Sequence, residues 1–443
     1  MITSSVNHLC VDLTRVLRTL ALLVMVGVAA TVAQDRFPQP EFTDGYQLPS
    51  THYPAPRAMG WEYVDTAILA LALGLAAWLA LRRRSRRGIV ALMLGCLLYF
   101  GFFRKGCICP IGAIQNVSLG LWDPSIGVAP VVVLFFGLPL LFALLFGRVF
   151  CSSVCPLGGI QDLVVRTPRQ LPVWIDRPLQ LLPYLFLGMA VLYPILGFGF
   201  VVCRLDPFVG IFRLSAPAPM ALAGAAVLLI GVFVARPYCR FLCPYGVLLG
   251  WMSRLSRRHV TITPNECVNC RLCQASCPFG AILTPHTTAV AEPPKRSRTR
   301  LYVYAALLPL WVALGALGGY SAGGALSHIH PQVRLARQIE REERGEAADL
   351  SVESTAYRSG TEPIAALLAQ AVLLRGASRR GIMILGGWFG AITGLTLLQL
   401  SLQHPRTSHE PDRRTCLSCA RCFRSCPQEH KRLRKPGGSD EVG

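Results

Sequence analysis

The chain has 443 residues, of which 52% are hydrophobic and 15% charged, and its mean hydropathy is +0.44. Long apolar runs separated by short charged clusters argue against a soluble two-domain enzyme, which would spread its charge along helix and strand faces. A net charge of +20 would by itself suggest a nucleic-acid binder, but Arg82, Arg83, Arg84, Arg86 and Arg87, and Lys295, Arg296, Arg298 and Arg300, sit beside apolar runs as membrane anchors do.

Eight apolar stretches follow in order, at roughly 16–33, 63–81, 88–104, 128–147, 179–198, 218–235, 301–320 and 381–400. Each approaches the ~20 residues a helix needs to cross the hydrocarbon core. The first also reads as a cleavable signal, with Arg15 and Arg18 before it and Ala30-Thr31-Val32-Ala33 at its end; a retained helix is the preferred reading. The basic turn from Arg82 to Arg87 sets the inside face. Alternation then places 105–127, 199–217 and 321–380 outside, and 148–178, 236–300 and the C-terminus inside. Arg104 and Lys105 breach the charge rule. Acidic and basic residues alternate from Arg334 to Arg344, as on a solvated helix serving as a connector or a docking surface. The expected organisation is 1–87 as N-terminal spans with a short outer loop and 88–250 as a membrane core. Residues 251–300 form a first ferredoxin-like half. Two spans with an outer connector (321–380) occupy 301–400, and 401–443 form a second half with a basic tail.

Seventeen cysteines are present. Disulfides fit most of them poorly, because they fall in tight Cys-Pro motifs beside basic, inside loops. Residues 267–278 read Cys-Val-Asn-Cys-Arg-Leu-Cys-Gln-Ala-Ser-Cys-Pro, and 416–427 read Cys-Leu-Ser-Cys-Ala-Arg-Cys-Phe-Arg-Ser-Cys-Pro. Both match the C-x2-C-x2-C-x3-C-P run of bacterial ferredoxins, whose fourth cysteine ligates the other cluster. Zinc sites usually use two cysteine pairs with a longer spacer. The expected ligand sets are Cys267, Cys270, Cys273 and Cys426 for one [4Fe–4S] cluster, and Cys416, Cys419, Cys422 and Cys277 for a second. Two spans separate the runs, so both return to one face and can form a single split domain.

Two further motifs have the form C-x3-C-P: Cys151 to Cys155-Pro156, and Cys239 to Cys243-Pro244. Their four thiolates complete a third [4Fe–4S] site at the inner membrane face. Proline suits the first position of a helix, whose N-terminus would then face an anionic cluster. A weaker echo occurs on the outside. Cys107-Ile-Cys109-Pro110 through Gln115 resembles Pro156 through Gln161, and Cys203-Arg204-Leu205-Asp206-Pro207 resembles Cys239 through Pro244. This suggests an outer cluster on Cys107, Cys109 and Cys203, with Asp206 as the positional fourth ligand and His328 or His330 as alternatives. Arg104, Lys105 and Arg204 would offset its charge. A disulfide between Cys203 and Cys107 or Cys109 stays open. Cys10 and Cys96 have no partner motif.

The Cys-Pro pairs and both ferredoxin runs together resemble the NapH/NosR-type membrane polyferredoxins, over about residues 88–427. The resemblance implies an electron conduit between a quinol pool or cytoplasmic donor and an extracytoplasmic reductase or its maturation system. The chain departs from the NosR pattern in two ways. The 34–62 loop is too short for a flavin domain, and two spans separate the ferredoxin runs.

The fold expected is an all-α polytopic membrane protein of about eight transmembrane helices with a split cytoplasmic α+β ferredoxin-like domain, in a bacterial inner membrane. The function expected is electron transfer through [4Fe–4S] clusters to a periplasmic flavin or haem protein, as a carrier or oxidoreductase subunit rather than a stand-alone enzyme. One alternative is a redox sensor or maturation factor. Another is quinol oxidation, for which Asp162 or His259 is the candidate proton acceptor. No catalytic constellation is expected.

Overall fold

The computed structural model describes residues 58–106, 109–262, 267–285, 294–346, 351–360, 363–401 and 408–434. The expected first span (16–33), Cys10 and Cys107 lie outside the described residues.

Helix α1 (Met59–Leu81) is the first apolar rod. The basic turn after it ends at Ser85, whose hydroxyl accepts from Gly88 N at 3.2 Å and starts α2 (Arg86–Cys96). A π-helical stretch, Leu97–Phe103, continues α2 to the turn at Lys105 and Gly106, both with positive φ. Next come α3 (Pro110–Trp122), α4 (Pro130–Phe146), a second π-helical stretch at Phe150–Val154, and α5 (Pro156–Val164). Helix α6 (Leu182–Ile195), a short α7 (Pro207–Arg213), α8 (Ala218–Phe233) and α9 (Pro244–Arg254) complete the core. The C-terminal part holds α10 (Leu272–Ser276), β1 (Ile282–Leu283), α11 (Pro294–Leu326), α12 (Pro331–Glu343), α13 (Ile364–Ser401), β2 (Glu410–Pro411) and α14 (Arg421–Ser425).

Among the described residues five helical segments are long and apolar enough to cross a membrane: Gly60–Leu81, Arg86–Phe103, Val173–Ile195, Thr299–Ile329 and Ile364–Gln399. The pair α7 and α8, bent by 105°, makes a sixth if it is one broken span. The described part is therefore mostly helical with five or six candidate membrane spans, which point to a multi-pass membrane protein; seven of the eight expected stretches fall on described residues. The stretch at 128–147 becomes α4, a helix of only 17 residues with Pro139 inside it. That at 218–235 becomes one arm of the bent pair. Apolar composition is the same in a straight helix and in a bent one, so hydropathy alone does not tell the two apart.

Helices α11 and α13 form a long antiparallel pair, closely packed through glycines. A Cβ at Gly315 would lie 2.2 Å from Gly386 O, one at Gly319 2.3 Å from Ile382 O, and one at Gly390 2.1 Å from Trp311 O. Glycine at every fourth position lets two backbones touch, and van der Waals packing then replaces the hydrophobic drive that lipid cannot supply. Helix α13 also packs on α6, where Trp388 Nε1 donates to Tyr184 O at 3.0 Å. The pair takes up the two ends of the expected connector at 321–380. Helix α12 lies along α13 and buries Val333, Ala336 and Ile339 against Leu367 and Ala371.

The far ends of α11 and α13 bring the two cysteine runs together. Strands β1 and β2 pair antiparallel, Ile282 opposite Pro411 and Leu283 opposite Glu410. Asp412 N donates to Ala281 O at 2.8 Å, and His409 Nε2 lies 2.7 Å from Asn269 Oδ1.

Candidate iron–sulfur sites

Every candidate cluster motif ends in a residue followed by proline, and that local rule shapes the sites. Proline disfavours helical backbone in the residue before it. Cys109, Cys155, Asp206 and Cys243 accordingly hold φ/ψ of −87/105, −69/116, −79/108 and −70/110, each immediately before α3, α5, α7 or α9. Each sits at an N-cap. The thiols of Cys109, Cys155 and Cys243 make no capping hydrogen bond, so they are left for another partner. Asp206 Oδ1 accepts from Phe208 N at 3.0 Å.

The four expected inner ligands come together: Cys151, Cys155, Cys239 and Cys243 line one cavity. Arg148 Nη2 lies 3.7 Å from Cys151 Sγ, and Gln161 Nε2 donates to Cys239 Sγ at 3.2 Å while its Oε1 accepts from Tyr238 N at 3.0 Å. The cradle is shaped by glycine at the third helical position. A Cβ at Gly158 would lie 3.0 Å from Cys151 O, and one at Gly246 3.2 Å from Arg148 Nη2.

Cys109 and Asp206 line that same cavity. The tight turn at Lys105 and Gly106, and the sharp bend after α7, carry them beside the inner four rather than leaving them in separate loops. Cys203, three residues before Asp206, faces the helix that follows Cys109. Its Sγ donates to Gln115 Oε1 at 2.9 Å and would lie 3.6 Å from a Cβ at Gly112. The repeat seen in the sequence is thus carried into three dimensions, with Gln115 meeting Cys203 as Gln161 meets Cys239. Gln115 is fully buried and its Nε2 has no hydrogen-bond partner among the described residues. The two histidines considered as alternatives go elsewhere. His330 lies 3.2 Å from Gly197 O and edge-on to Phe198, and His328 lines a charged pocket with Arg337, Glu340 and Arg375. Arg104 is also engaged otherwise, 2.6 Å from the buried Asp65.

The two ferredoxin runs have matching loops. Asn269 and Arg271 in the first, and Ser418 and Ala420 in the second, hold φ of 53°, 60°, 55° and 58°. Left-handed residues on both sides of the second cysteine wind each loop around a common centre. Burial raises the Cys273 thiol, and the charges of Cys267, Cys426 and Cys270 add to the effect. Burial likewise pushes Cys416 up to about 12, with Cys419 and Cys277 adding to it. The fourth cysteine of each run thus acts electrostatically on a cysteine of the other run: Cys426 on Cys273, and Cys277 on Cys416.

Among the described residues no group of three His, Cys, Asp or Glu could hold a single metal ion. A cubane has a different demand, because each of its four cysteines binds its own iron. The donor chemistry fits such a group. Buried thiols side by side resist ionising, and a cationic metal core is what makes four adjacent thiolates tenable.

The second ferredoxin half is docked on the core through a buried carboxylate. Asp162 on α5 receives Arg86 at 2.6 Å, Arg421 at 3.1 Å and Arg236 at 3.5 Å. Burial pushes this carboxyl up, but Arg236, Arg421 and Arg86 outweigh it and hold it at about 2. Arg86 also donates to Cys419 O at 3.3 Å, and Arg84 pairs with Glu429 at 2.7 Å beneath Phe423. Ser253 Oγ and Arg148 Nη1 bind the carbonyls of Arg413 and Arg414 at 2.7 and 2.9 Å. None of these partners was foreseen from the sequence, where the arginines looked like membrane anchors.

Comparison with known proteins agrees with this chemistry. One 4Fe-4S binding domain family matches residues 128–177 and 215–263, and a second 4Fe-4S binding domain family matches 260–283. The putative electron transport protein YccM of Escherichia coli K12 is 28% identical over 191 residues, covering 38% of this chain and 52% of that protein. Protein NirI of Paracoccus denitrificans is 29% identical over 215 residues, 45% of this chain and 31% of its own length. The regulatory protein NosR of Pseudomonas aeruginosa is 27% identical over 230 residues, 46% and 30% of the two chains. The chain thus spans about half the length of YccM and under a third of NirI or NosR. No solved structure matches it. With 4Fe-4S binding domains on a helical frame with several candidate membrane spans, and distant relatives in NosR, NirI, YccM and the methylamine utilization ferredoxin-type protein MauN, the chain is similar to the NapH/NosR-type polyferredoxins.

Proposed function

We propose that this ferredoxin-type 4Fe-4S electron transport protein carries electrons from one side of the membrane toward a redox partner on the other. The observation that carries the reading is the docking of the Cys416–Cys426 run onto α5, the helix that begins at Cys155. Three expected ligand sets then lie in series: Cys267, Cys270, Cys273 and Cys426; Cys416, Cys419, Cys422 and Cys277; and Cys151, Cys155, Cys239 and Cys243. Iron–sulfur clusters held there supply one-electron chemistry, while the protein sets their position and potential.

Cys109, Cys203 and Asp206, with Cys107, are proposed to hold a fourth cluster beside the third. The orphaned Gln115 Nε2 and the mixed thiolate–carboxylate donor set support it. Cys203→Ser should remove one spectral component and leave the others; an unchanged spectrum would rule the fourth site out.

The ferredoxin halves are assigned to the cytoplasmic side of a bacterial inner membrane by the basic turn at Arg82–Arg87, next to which they dock. The partner is assigned as a periplasmic flavin or haem protein. In sealed vesicles carrying the protein, a reductant outside one face should reduce an acceptor confined to the other. Absence of transfer, with clusters intact, would favour a redox sensor or maturation factor instead.

A second reading, quinol oxidation by the chain itself, is favoured by one cavity. Gly74, Trp78, Phe142 and Phe146 give it an apolar wall, and Arg82, Arg258, His259 and Phe423 line its basic end. Phe423 follows Cys422 directly. Burial and Arg413 keep His259 below the usual histidine range against an opposing pull from Glu410, which leaves it neutral and able to accept a proton. Quinol-driven cluster reduction that survives His259→Ala would exclude this site.

A further inference from the structure

Arg236 stands between two of the expected ligand sets. It is 1% exposed, and its backbone is left-handed (φ 51°) just ahead of Pro237. Its Nη1 donates to Cys151 O, and its guanidinium lies 5.7 Å from the ring centre of Phe279, two residues beyond Cys277. It lines a cavity with Cys151, Cys239 and Cys243, and the charges of Cys239, Cys419 and Cys151 all act on it. Gly158 makes room for it, because a Cβ there would lie 3.1 Å from Nη1.

A buried guanidinium is costly unless it is paired. The pairing here is incomplete. Asp162 is shared among Arg236, Arg86 and Arg421, so three cations meet one anion in the interior. Arg236 Nη2 has no hydrogen-bond partner among the described residues. A purely structural pair would need neither the cation excess nor the unused donor. Both are what thiolate-ligated clusters, which carry net negative charge, would compensate.

We propose that Arg236 is a positioning and potential-setting residue shared by two clusters. This rests on the reading above that Cys151, Cys155, Cys239 and Cys243 hold one cluster and Cys416, Cys419, Cys422 and Cys277 another. Nη2 would be available to donate to a sulfur of a cluster held by the first set, and the guanidinium charge would act on clusters in both sets. A cation so placed would favour the reduced form of either cluster and so raise both potentials. Hydrogen bonds to sulfur and local net charge are two of the levers by which a protein sets cluster potential. The charges acting on Arg236 include Cys239 and Cys151 of the one set and Cys419 of the other.

The test is a redox titration followed by electron paramagnetic resonance, in detergent and without oxygen, with signals assigned through Cys239→Ser and Cys416→Ser. Iron and sulfide in the parent protein are measured first. About eight irons per chain or fewer there would overturn the underlying cluster assignment rather than the role of Arg236. Arg236→Gln should weaken one-electron reduction of the two flanking clusters about tenfold, a fall of about 59 mV, and leave the third unmoved. Arg236→Lys should recover most of that fall. Unchanged potentials in Arg236→Gln at full iron content, or an equal shift of all three clusters, would overturn the proposal. If Arg236→Gln does not assemble, Asp162→Asn decides. Removing that negative charge should raise the same two potentials, and no shift would overturn the proposal.

Discussion

Asp162 looked from the sequence like a proton acceptor near a helix end, and its surroundings give it another task. Its folded value of about 2 is below the ordinary 3.8. A depressed carboxylate contributes stability that is fully present above its unfolded value and is lost as pH falls through its folded one. The window is therefore about pH 4 down to 2, and the contribution is about 2 kcal/mol. Between pH 5 and 8 Asp162 stays ionised. The midpoint potential of the cluster on Cys151, Cys155, Cys239 and Cys243 should accordingly be flat over that range. A slope near 59 mV per pH unit would mean that a proton follows the electron, and the carboxylate assignment would fail. Glu429 is the companion case. It is 1% exposed and paired with Arg84, and removing one partner of a buried pair typically costs about 3–5 kcal/mol. Glu429→Ala should leave the chain in the membrane but loosen the 416–434 segment, seen as faster amide exchange there. Protection equal to the parent's would mean that this pair does not hold the dock.

The cysteine motifs were legible because each carries its own geometry. Spacing within C-x2-C-x2-C-x3-C-P winds the loop, and the proline sends the last thiol outward. Pairing of the loops was legible because an even number of spans returns both to one face. The helices themselves were less so. Hydropathy averages over a window, and it treats the two arms of the bent pair α7 and α8 as it treats a straight span. The glycine ladder of α11 and α13 lay in the sequence at Gly315, Gly319 and Gly323 and at Gly386, Gly390 and Gly394. It carries no apolar signal, so only its four-residue period could have revealed it. That ladder sets how closely the helices approach, and hence where β1 meets β2. Gly319→Leu would place a side chain where a Cβ alone meets Ile382 O at 2.3 Å. Overpacking typically costs about 1–3 kcal/mol. The expected result is loss of the two clusters that need ligands from both runs, with the Cys151 set retained. Retention of all clusters would show that the strands and Asp162 hold the halves together without the helix pair.

Across the whole molecule, charges read as anchors at the membrane surface prove to be internal. Arg84 and Arg86 leave the basic turn to bind the second ferredoxin half. Their contacts with Glu429 and Cys419 join residues over three hundred positions apart, and no local pattern encodes them. The repeat around Cys109 and Cys203 was visible as spacing, but its nearness to the other cysteine set depends on the turn at Gly106 and the bend after α7. The arrangement amounts to a row of cysteine sets from the docked ferredoxin halves into the helical core. Iron and acid-labile sulfide per chain, measured on anaerobically purified protein together with resonance spectra of the reduced state, test whether that row is filled. About sixteen irons, as four cubanes, is the expected result. About twelve would remove the site at Cys109, Cys203 and Asp206 alone. About eight or fewer, with the ferredoxin signals intact, would contradict an electron path through the membrane core.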